Sequence, residues 1–381
     1  MSAATKKSSS LLDFEGSNFL RCRLVLATLR GRSIRITRIR DQDLNPGLRE
    51  YEASFIRLMD QITNGSRIEV NQTGTRLTYQ PGLLMGGKVE HDCNLERGIG
   101  YFLEPMLQLA PFCKHPLHLI FRGVTNNQID PSPDLLRLSA LPVLKRYLIV
   151  DEGLELKVTK RGAAPEGGGQ VVFKCPIRRS FRAMQFTDMG KIKRIRGSAW
   201  AARVSPAMSN RIVESAKGVL LKFIPDIYIH TDSYKGAASG KSAGFGLVLT
   251  AETTTGAFLS AEVCSNAKGK EQVSVPEDLG VQGAKLLLEE IFRGGCVDST
   301  NQSLMLLFMT LSQRDVSKLV TGPLSNYTVH FLRHIKDVFE LRFKLETHES
   351  EEKEEGLRVG CDKVMLTCQG SGYINLSKRT T

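Results

Sequence analysis

Three groups of side chains have types and spacings that can do chemistry. Arg314, Asp315 and Lys318 set one carboxylate between two cations, just after an apolar run with helical spacing. There Asp315 can act as a base toward a 2′-hydroxyl, with Arg314 and Lys318 stabilising the charge of a phosphorane. The plainer reading is a solvated polar loop, because metal-assisted cleavage usually wants a second carboxylate. His330 and His334 stand one helical turn apart and share a face with Asp337, the spacing of a metal or acid–base pair or of an exposed polar face. Cys113, His115 and His118 are ligand types, but Pro116 stiffens them and no second cluster completes a tetrahedron; His91-Asp92-Cys93 is no stronger.

Two glycine-rich stretches raise the question of phosphate. In Arg161-Gly162-Ala163-Ala164-Pro165-Glu166-Gly167-Gly168-Gly169-Gln170-Val171, a tight turn opens straight into an apolar strand. Glycine permits positive φ and close approach of another backbone or of an anion. The stretch therefore reads either as a hairpin turn between strands 154–160 and 170–174 or as a phosphate-friendly turn headed by Arg161. Lys235-Gly236-Ala237-Ala238-Ser239-Gly240-Lys241-Ser242 falls one residue short of the four that a P-loop needs between its glycines, and reads as a mobile loop.

The surrounding charge favours a polyanion. The 381-residue chain carries 52 basic and 40 acidic residues, a formal charge of +12. The excess is uneven: residues 16–40 hold no acid but include Arg21, Arg23 and Arg40. Among residues 167–210 the only acid is Asp188, against Arg178, Arg179, Arg182, Lys191, Lys193, Arg194 and Arg196. Lys and Arg that neutralise phosphates release counterions, and the guanidinium fork matches phosphate oxygens. The 8 cysteines form no C-x-x-C pair and read as free thiols. No apolar run approaches a membrane span, and the polar start, residues 1–10, has no secretory h-region and reads as a disordered tail.

Periodicity supplies the elements that must position these groups. The order β-α-β-α-β-β is expected over residues 11–80, and again over 86–174. A third copy is expected to start with a strand at 191–201, to be interrupted, and to resume with helices at 301–311 and 327–339 and strands at 341–347 and 363–369. The fold class is therefore α/β (α+β), each unit stacking a sheet against two helices. A large domain spans 11–204 and 295–381, and a small inserted domain spans 205–294. The acidic stretch 346–355 reads as a solvated loop.

The string from Arg161 to Val171 resembles the RG-x-x-P-x-GGG-x-V stretch of the RNA 3′-terminal phosphate cyclase family. So do Ile39-Arg40 with Pro46-Gly47-Leu48, and Arg97-Gly98-Ile99-Gly100-Tyr101, resemble other parts of it. The resemblance is closest to the family's eukaryotic cyclase-like branch, and it implies three repeated units with an inserted thioredoxin-core-like domain. True cyclases carry a first loop of the form G-x-x-G-E-G-G-G-Q and a histidine that becomes covalently nucleotidylated. Here the first loop reads Glu15-Gly16-Ser17-Asn18-Phe19-Leu20-Arg21, and the histidine's place falls on Pro323 or Tyr327 depending on register; His330 is the nearest substitute. The resemblance thus implies a non-cyclase factor without a cofactor or metal, acting in the nucleolus in small (40S) ribosomal subunit biogenesis and 18S pre-rRNA processing. Its implied partners are a ribosome-biogenesis GTPase, a box C/D snoRNP and pre-rRNA, with no membrane. Arg21, Arg40, Arg161 and Gly167 to Gly169 are the expected anion or RNA ligands, and Arg178, Arg179, Arg182, Lys191, Lys193, Arg194 and Arg196 the partner-binding surface. The competing reading is an endoribonuclease built on Arg314, Asp315 and Lys318.

Overall fold

The computed structural model describes residues 11–149, 152–267, 273–348 and 360–375. The expected tail at 1–10 and most of the acidic loop lie outside them. The first unit comprises β1 (Leu12–Glu15), α1 (Leu20–Arg30), β2 (Ile34–Thr37), α2 (Glu50–Ile62), β3 (Thr63–Asn64), β4 (Arg67–Val70), β5 (Leu77–Gln80) and β6 (Leu83–Leu84). The second comprises β7 (Gly86–Asp92), α3 (Ile99–Leu109), β8 (His115–Gly123), α4 (Pro133–Leu135), α5 (Leu141–Leu148), β9 (Glu155–Lys160) and β10 (Gly169–Cys175). A π turn, Leu136–Ala140, joins α4 to α5. After β11 (Gln185–Phe186) the chain leaves for β12 (Ile192–Ala202), α6 (Ala207–Leu220), β13 (Ile227–Tyr234), β14 (Gly244–Thr253), β15 (Phe258–Cys264) and α7 (Pro276–Arg293). It ends with α8 (Gln302–Leu311), β16 (Val316–Thr321), α9 (Asn326–Phe339), β17 (Lys344–His348) and β18 (Lys363–Gln369).

Local chemistry sets these bounds. Gly31 ends α1 with φ of 69°, a left-handed cap that glycine adopts without strain. Glu52 accepts from the Arg49 backbone N–H at 2.8 Å at the start of α2. Ser325 caps α9 by accepting from Thr328 N–H at 3.1 Å. Strand β10 alternates buried and half-buried residues along its whole length, so one face of its sheet meets the helices.

Three sheets share one order and one set of directions: β1-β2-β5-β4, β7-β8-β10-β9 and β11-β16-β18-β17. In each the first two strands run parallel, which requires a crossover, and the other pairings are antiparallel. A single apolar core runs through all three, from Leu20 and Phe55 through Phe102 and Phe173 to Phe308 and Leu366. The fourth sheet, β13-β12-β14-β15, has a core of its own beneath α6 and α7.

Two expectations change. The strand expected to begin the third unit is β12, and it pairs with β13 and β14; the third sheet begins with the two-residue β11 instead. Residues 192–204 therefore pack with the residues that follow them, because Ile195 and Ala199 share the core of α6 and α7. Strand β16 was not expected at all; it is a central strand of the third sheet, and its half-polar sequence carries little alternation to reveal it.

Candidate functional site

The first loop and the start of α9 meet in an aromatic cluster. Phe19 sits at the N-cap of α1 with φ of 61°, a conformation costly for a side chain this large. Its ring stacks on His330 at 4.7 Å and lies 5.6 Å from both His334 and Tyr327. His334 is 7% exposed, and neither ring nitrogen has a hydrogen-bond partner among the described residues. Burial, helped by the Arg23 charge, pushes its pKa down to about 4, so the imidazole is neutral at pH 7. His330 and His334 therefore pack rings; they do not form the metal pair that their spacing allowed, and the described residues contain no group of three or more metal-ligating side chains. Of the two residues in the register of the expected nucleophile, Pro323 is exposed and Tyr327 is half-buried in the first turn of α9. Burial, with Glu104 nearby, holds the Tyr327 phenol far above its usual range. No residue from Thr321 to Thr328 is a histidine.

The arginines expected to hold anions are already paired. Arg21 donates to the Tyr101 carbonyl at 2.6 Å and to Glu104 at 3.1 Å, and lies 4.1 Å over the Tyr101 ring. Arg23 donates to the carbonyls of Gly16 and Glu15 at 2.7 and 3.2 Å, closing the first loop onto α1. Arg40 grips Glu52 through both guanidinium nitrogens at 2.7 and 2.8 Å. The same carboxylate that starts α2 thus absorbs the charge assigned to a phosphate. Arg97 pairs with Asp130 beside Tyr51 and Tyr101.

Arg161 departs furthest from expectation. It is 1% exposed, ion-paired to Asp134, and donates to Asn126 Oδ1 at 3.0 Å. Its guanidinium lies 5.1 Å over Trp200 and 4.9 Å over Tyr234, rings that belong to the fourth sheet. An arginine so enclosed cannot reach a phosphate in solvent; it bolts the fourth sheet to the second unit. The glycine triplet serves the same seam. Gly167 and Gly168 have φ of 62° and 78°. Gly240 N–H donates to Arg161 O at 2.5 Å and Lys241 N–H to Gly167 O at 2.9 Å. A Cβ on Gly240 would lie 2.1 Å from Gly167 O, and one on Gly169 would lie 2.5 Å from a Thr125 methyl. The two glycine-rich stretches that suggested phosphate cradles are thus pressed against each other, backbone to backbone.

What stays open to solvent is a subset of the basic surface. Arg179, Arg182, Lys191 and Lys193 are exposed, whereas Arg178 is half-buried. Arg194 pairs with Glu252 at 2.6 Å and Arg196 with Asp226 at 2.8 Å. Arg314 and Asp315 are exposed, and Lys318 is half-buried within β16. Asp315 accepts from Val316 N–H at 2.7 Å, and no ion pair joins it to Arg314 or Lys318 among the described residues. The trio is close in sequence without being a closed charge cluster.

Known sequences decide what scaffold this is. The model of the RNA 3′-terminal phosphate cyclase family matches residues 12–345. The chain belongs to that family. It is 62% identical to the RNA 3′-terminal phosphate cyclase-like proteins of Mus musculus and Homo sapiens over 367 residues, 96% of this chain and 97% of each of those. It is 44% identical to the rRNA processing protein rcl1 of Schizosaccharomyces pombe over 369 residues, 96% of this chain and 97% of that one.

The sequence resemblance expects phosphate-cradling glycines in the first loop and a nucleophilic histidine at Pro323, before α9, or at Tyr327, in its first turn. In this cyclase-family chain those two places hold Phe19, with its ring against α9, and Pro323 or Tyr327. A phenol or a proline cannot form a phosphoramidate. Sequence reasoning missed the stacking of Phe19 on His330, since residues more than 300 apart meet there; the signal available was Phe replacing glycine in the first loop.

Proposed function

We propose that this chain is a non-cyclase member of its family that acts in rRNA processing, within nuclear assembly of the small ribosomal subunit. One observation carries the reading: aromatic packing of Phe19, Tyr327 and His330 stands where nucleotide chemistry would need glycines and a reactive imidazole. The name of the fission-yeast relative supports the direction, as does the net charge of +12. In this reading the exposed Arg179, Arg182, Lys191 and Lys193 receive either pre-rRNA or an acidic segment of a ribosome-biogenesis GTPase, in a nucleolar processome with a box C/D snoRNP. Both partners present negative charge, and their response to salt and to RNase separates them.

The test is a pull-down of the full chain from nuclear extract, with and without RNase, with identification of protein and RNA. Recovery of small-subunit precursors and their assembly factors is the expected result. Labelling of the purified protein by radioactive ATP, with an acid-labile adduct, would overturn the non-cyclase reading. Endonucleolytic cleavage of pre-rRNA is the second reading, favoured by Arg314 and Asp315 both standing in solvent. It requires cleavage by purified protein that disappears when Arg314, Asp315 and Lys318 are all changed to alanine.

A further inference from the structure

An outer strand of a sheet is a template for pairing unless charged side chains, above all Lys, or Pro blunt it. The outer strands β4, β7, β9 and β17 each carry a basic residue: Arg67, Lys88, Lys157 and Lys344. Strand β13 is an outer strand of the fourth sheet, runs for 8 residues, and holds no Lys, Arg or Pro. It and the loops on either side of it lie within one described stretch, residues 152–267.

The parallel ladder with β12 assigns its backbone groups. Ile195 N–H donates to Asp226 O at 2.9 Å and Arg203 N–H to Tyr234 O at 3.3 Å, at the two ends of the shared register. Alternate residues of a strand bond the same neighbour, so Tyr228, His230, Asp232 and Tyr234 bond toward β12. The amides and carbonyls of Ile229, Thr231 and Ser233 therefore point away from it. No hydrogen bond to the backbone of these three is present among the described residues. Side chains alternate too. Ile229 is buried in the core beneath α6, and the opposite face carries Tyr228 and His230, 61% and 60% exposed. On that face His230 Nε2 lies 2.9 Å from Asp232 Oδ1.

We propose that β13 pairs with β13 of a second copy of this chain, antiparallel, about a two-fold axis at Thr231. The outward amides all sit at odd positions, so an antiparallel partner strand must pair odd residues with odd ones. Centred on Thr231, the pairing sets His230 opposite the second copy's Asp232 and Tyr228 opposite its Tyr234. Symmetry makes each of these pairs twice, and Thr231 meets its own copy. Opposite charges, aromatic pairs and Thr–Thr contacts are the cross-strand pairs that stabilise sheets. A register shifted by two residues one way puts Asp232 against Asp232, and the other way His230 against His230. The run Tyr228-Ile229-His230-Thr231-Asp232-Ser233-Tyr234 is thus complementary to its own reverse, and that complementarity names the occupant. One strand from each copy makes a small interface, so the dissociation constant belongs in the micromolar range. The inference is independent of the proposed role in rRNA processing, which rests on other residues.

Sedimentation of the full chain from about 1 to about 200 μM should show a monomer–dimer equilibrium. His230→Asp sets a like charge against Asp232, and Asp232→Lys sets a cation against His230, so each variant alone should dimerise at least about tenfold more weakly. Their equimolar mixture should recover the dimer. There the new carboxylate of one meets the new ammonium of the other, and the unchanged His230 meets the unchanged Asp232. Thr231→Pro removes an amide that bonds nothing in the single chain, so it should abolish the dimer while far-UV circular dichroism stays as in wild type. The charge variants alter only exposed or half-buried side chains and decide the matter should that proline unfold the strand. A chain that stays monomeric throughout, a dimer that neither charge variant weakens, a mixture that recovers nothing, or a folded Thr231→Pro that still dimerises would overturn the proposal.

Discussion

Arg161 and Asp134 show how one side-chain pair can decide an interpretation. Removing one partner of a buried ion pair leaves the other charge stranded, which costs about 3–5 kcal/mol. Arg161→Ala should lower stability by that order in urea unfolding, and Arg161→Lys should fail to restore it, since a point charge cannot serve Asn126 and Asp134 together. RNA affinity of the folded fraction should not change, in contrast to the anion-binding role expected from sequence. His334 gives a pH signature. Its folded pKa near 4 lies below the ordinary value of 6.5, so between those limits the unfolded chain binds more protons and stability falls as pH drops. Above pH 6.5 the contribution is flat. His334→Phe keeps the ring, removes two unpartnered buried nitrogens and should stabilise the protein by about 1 kcal/mol at pH 7. The margin over wild type should widen from pH 6.5 toward pH 4, as read from urea midpoints across that range.

At the scale of elements, the seam between the second unit and the fourth sheet is a backbone contact. Gly167 has φ of 62°, and a Cβ there would lie 2.8 Å from the Gly123 carbonyl carbon. Gly167→Ala should therefore cost about 1–3 kcal/mol, by backbone strain and by pushing residue 167 off Gly123, which displaces the carbonyl that Lys241 N–H bonds across the seam. Hydrogen exchange at the amides of Gly240 and Lys241, which donate across the seam, should accelerate more than exchange within β14. Equal protection at both places would mean that the loops stay apposed by other contacts. The small cluster of Ala163, Trp200 and Ala202, with Tyr234 and Cys264 packed on it, is the apolar part of the same junction.

For the whole molecule, the net charge matters less than where it is free. Most arginines of the first basic stretch face carbonyls or carboxylates, leaving Arg179, Arg182, Lys191 and Lys193 as the exposed part of the second. Changing those four to Glu should alter the free energy of unfolding by no more than about 0.5 kcal/mol per substitution, as surface substitutions do. If they bind single-stranded RNA, the slope of log affinity against log salt should fall by about 0.7 for each phosphate that is no longer neutralised. Measured slopes that match wild type would place RNA elsewhere on the protein.

Composition and periodicity were enough to read an α/β chain, because amphipathic spacing is local and survives without neighbours, but the first strand of the third sheet and β16 were not read. Strings such as Arg161 to Val171 and Arg97 to Tyr101 were enough to reach the family. Pairing was not legible: β12 goes to the fourth sheet through contacts with α6 and α7, and Arg21, Arg40 and Arg161 go to carboxylates 83, 12 and 27 residues away. A sequence shows how much charge and how much glycine a chain owns. Only the packed chain decides which charges meet each other before they meet solvent, since desolvation and distance, and not residue type, set what a buried guanidinium can bind.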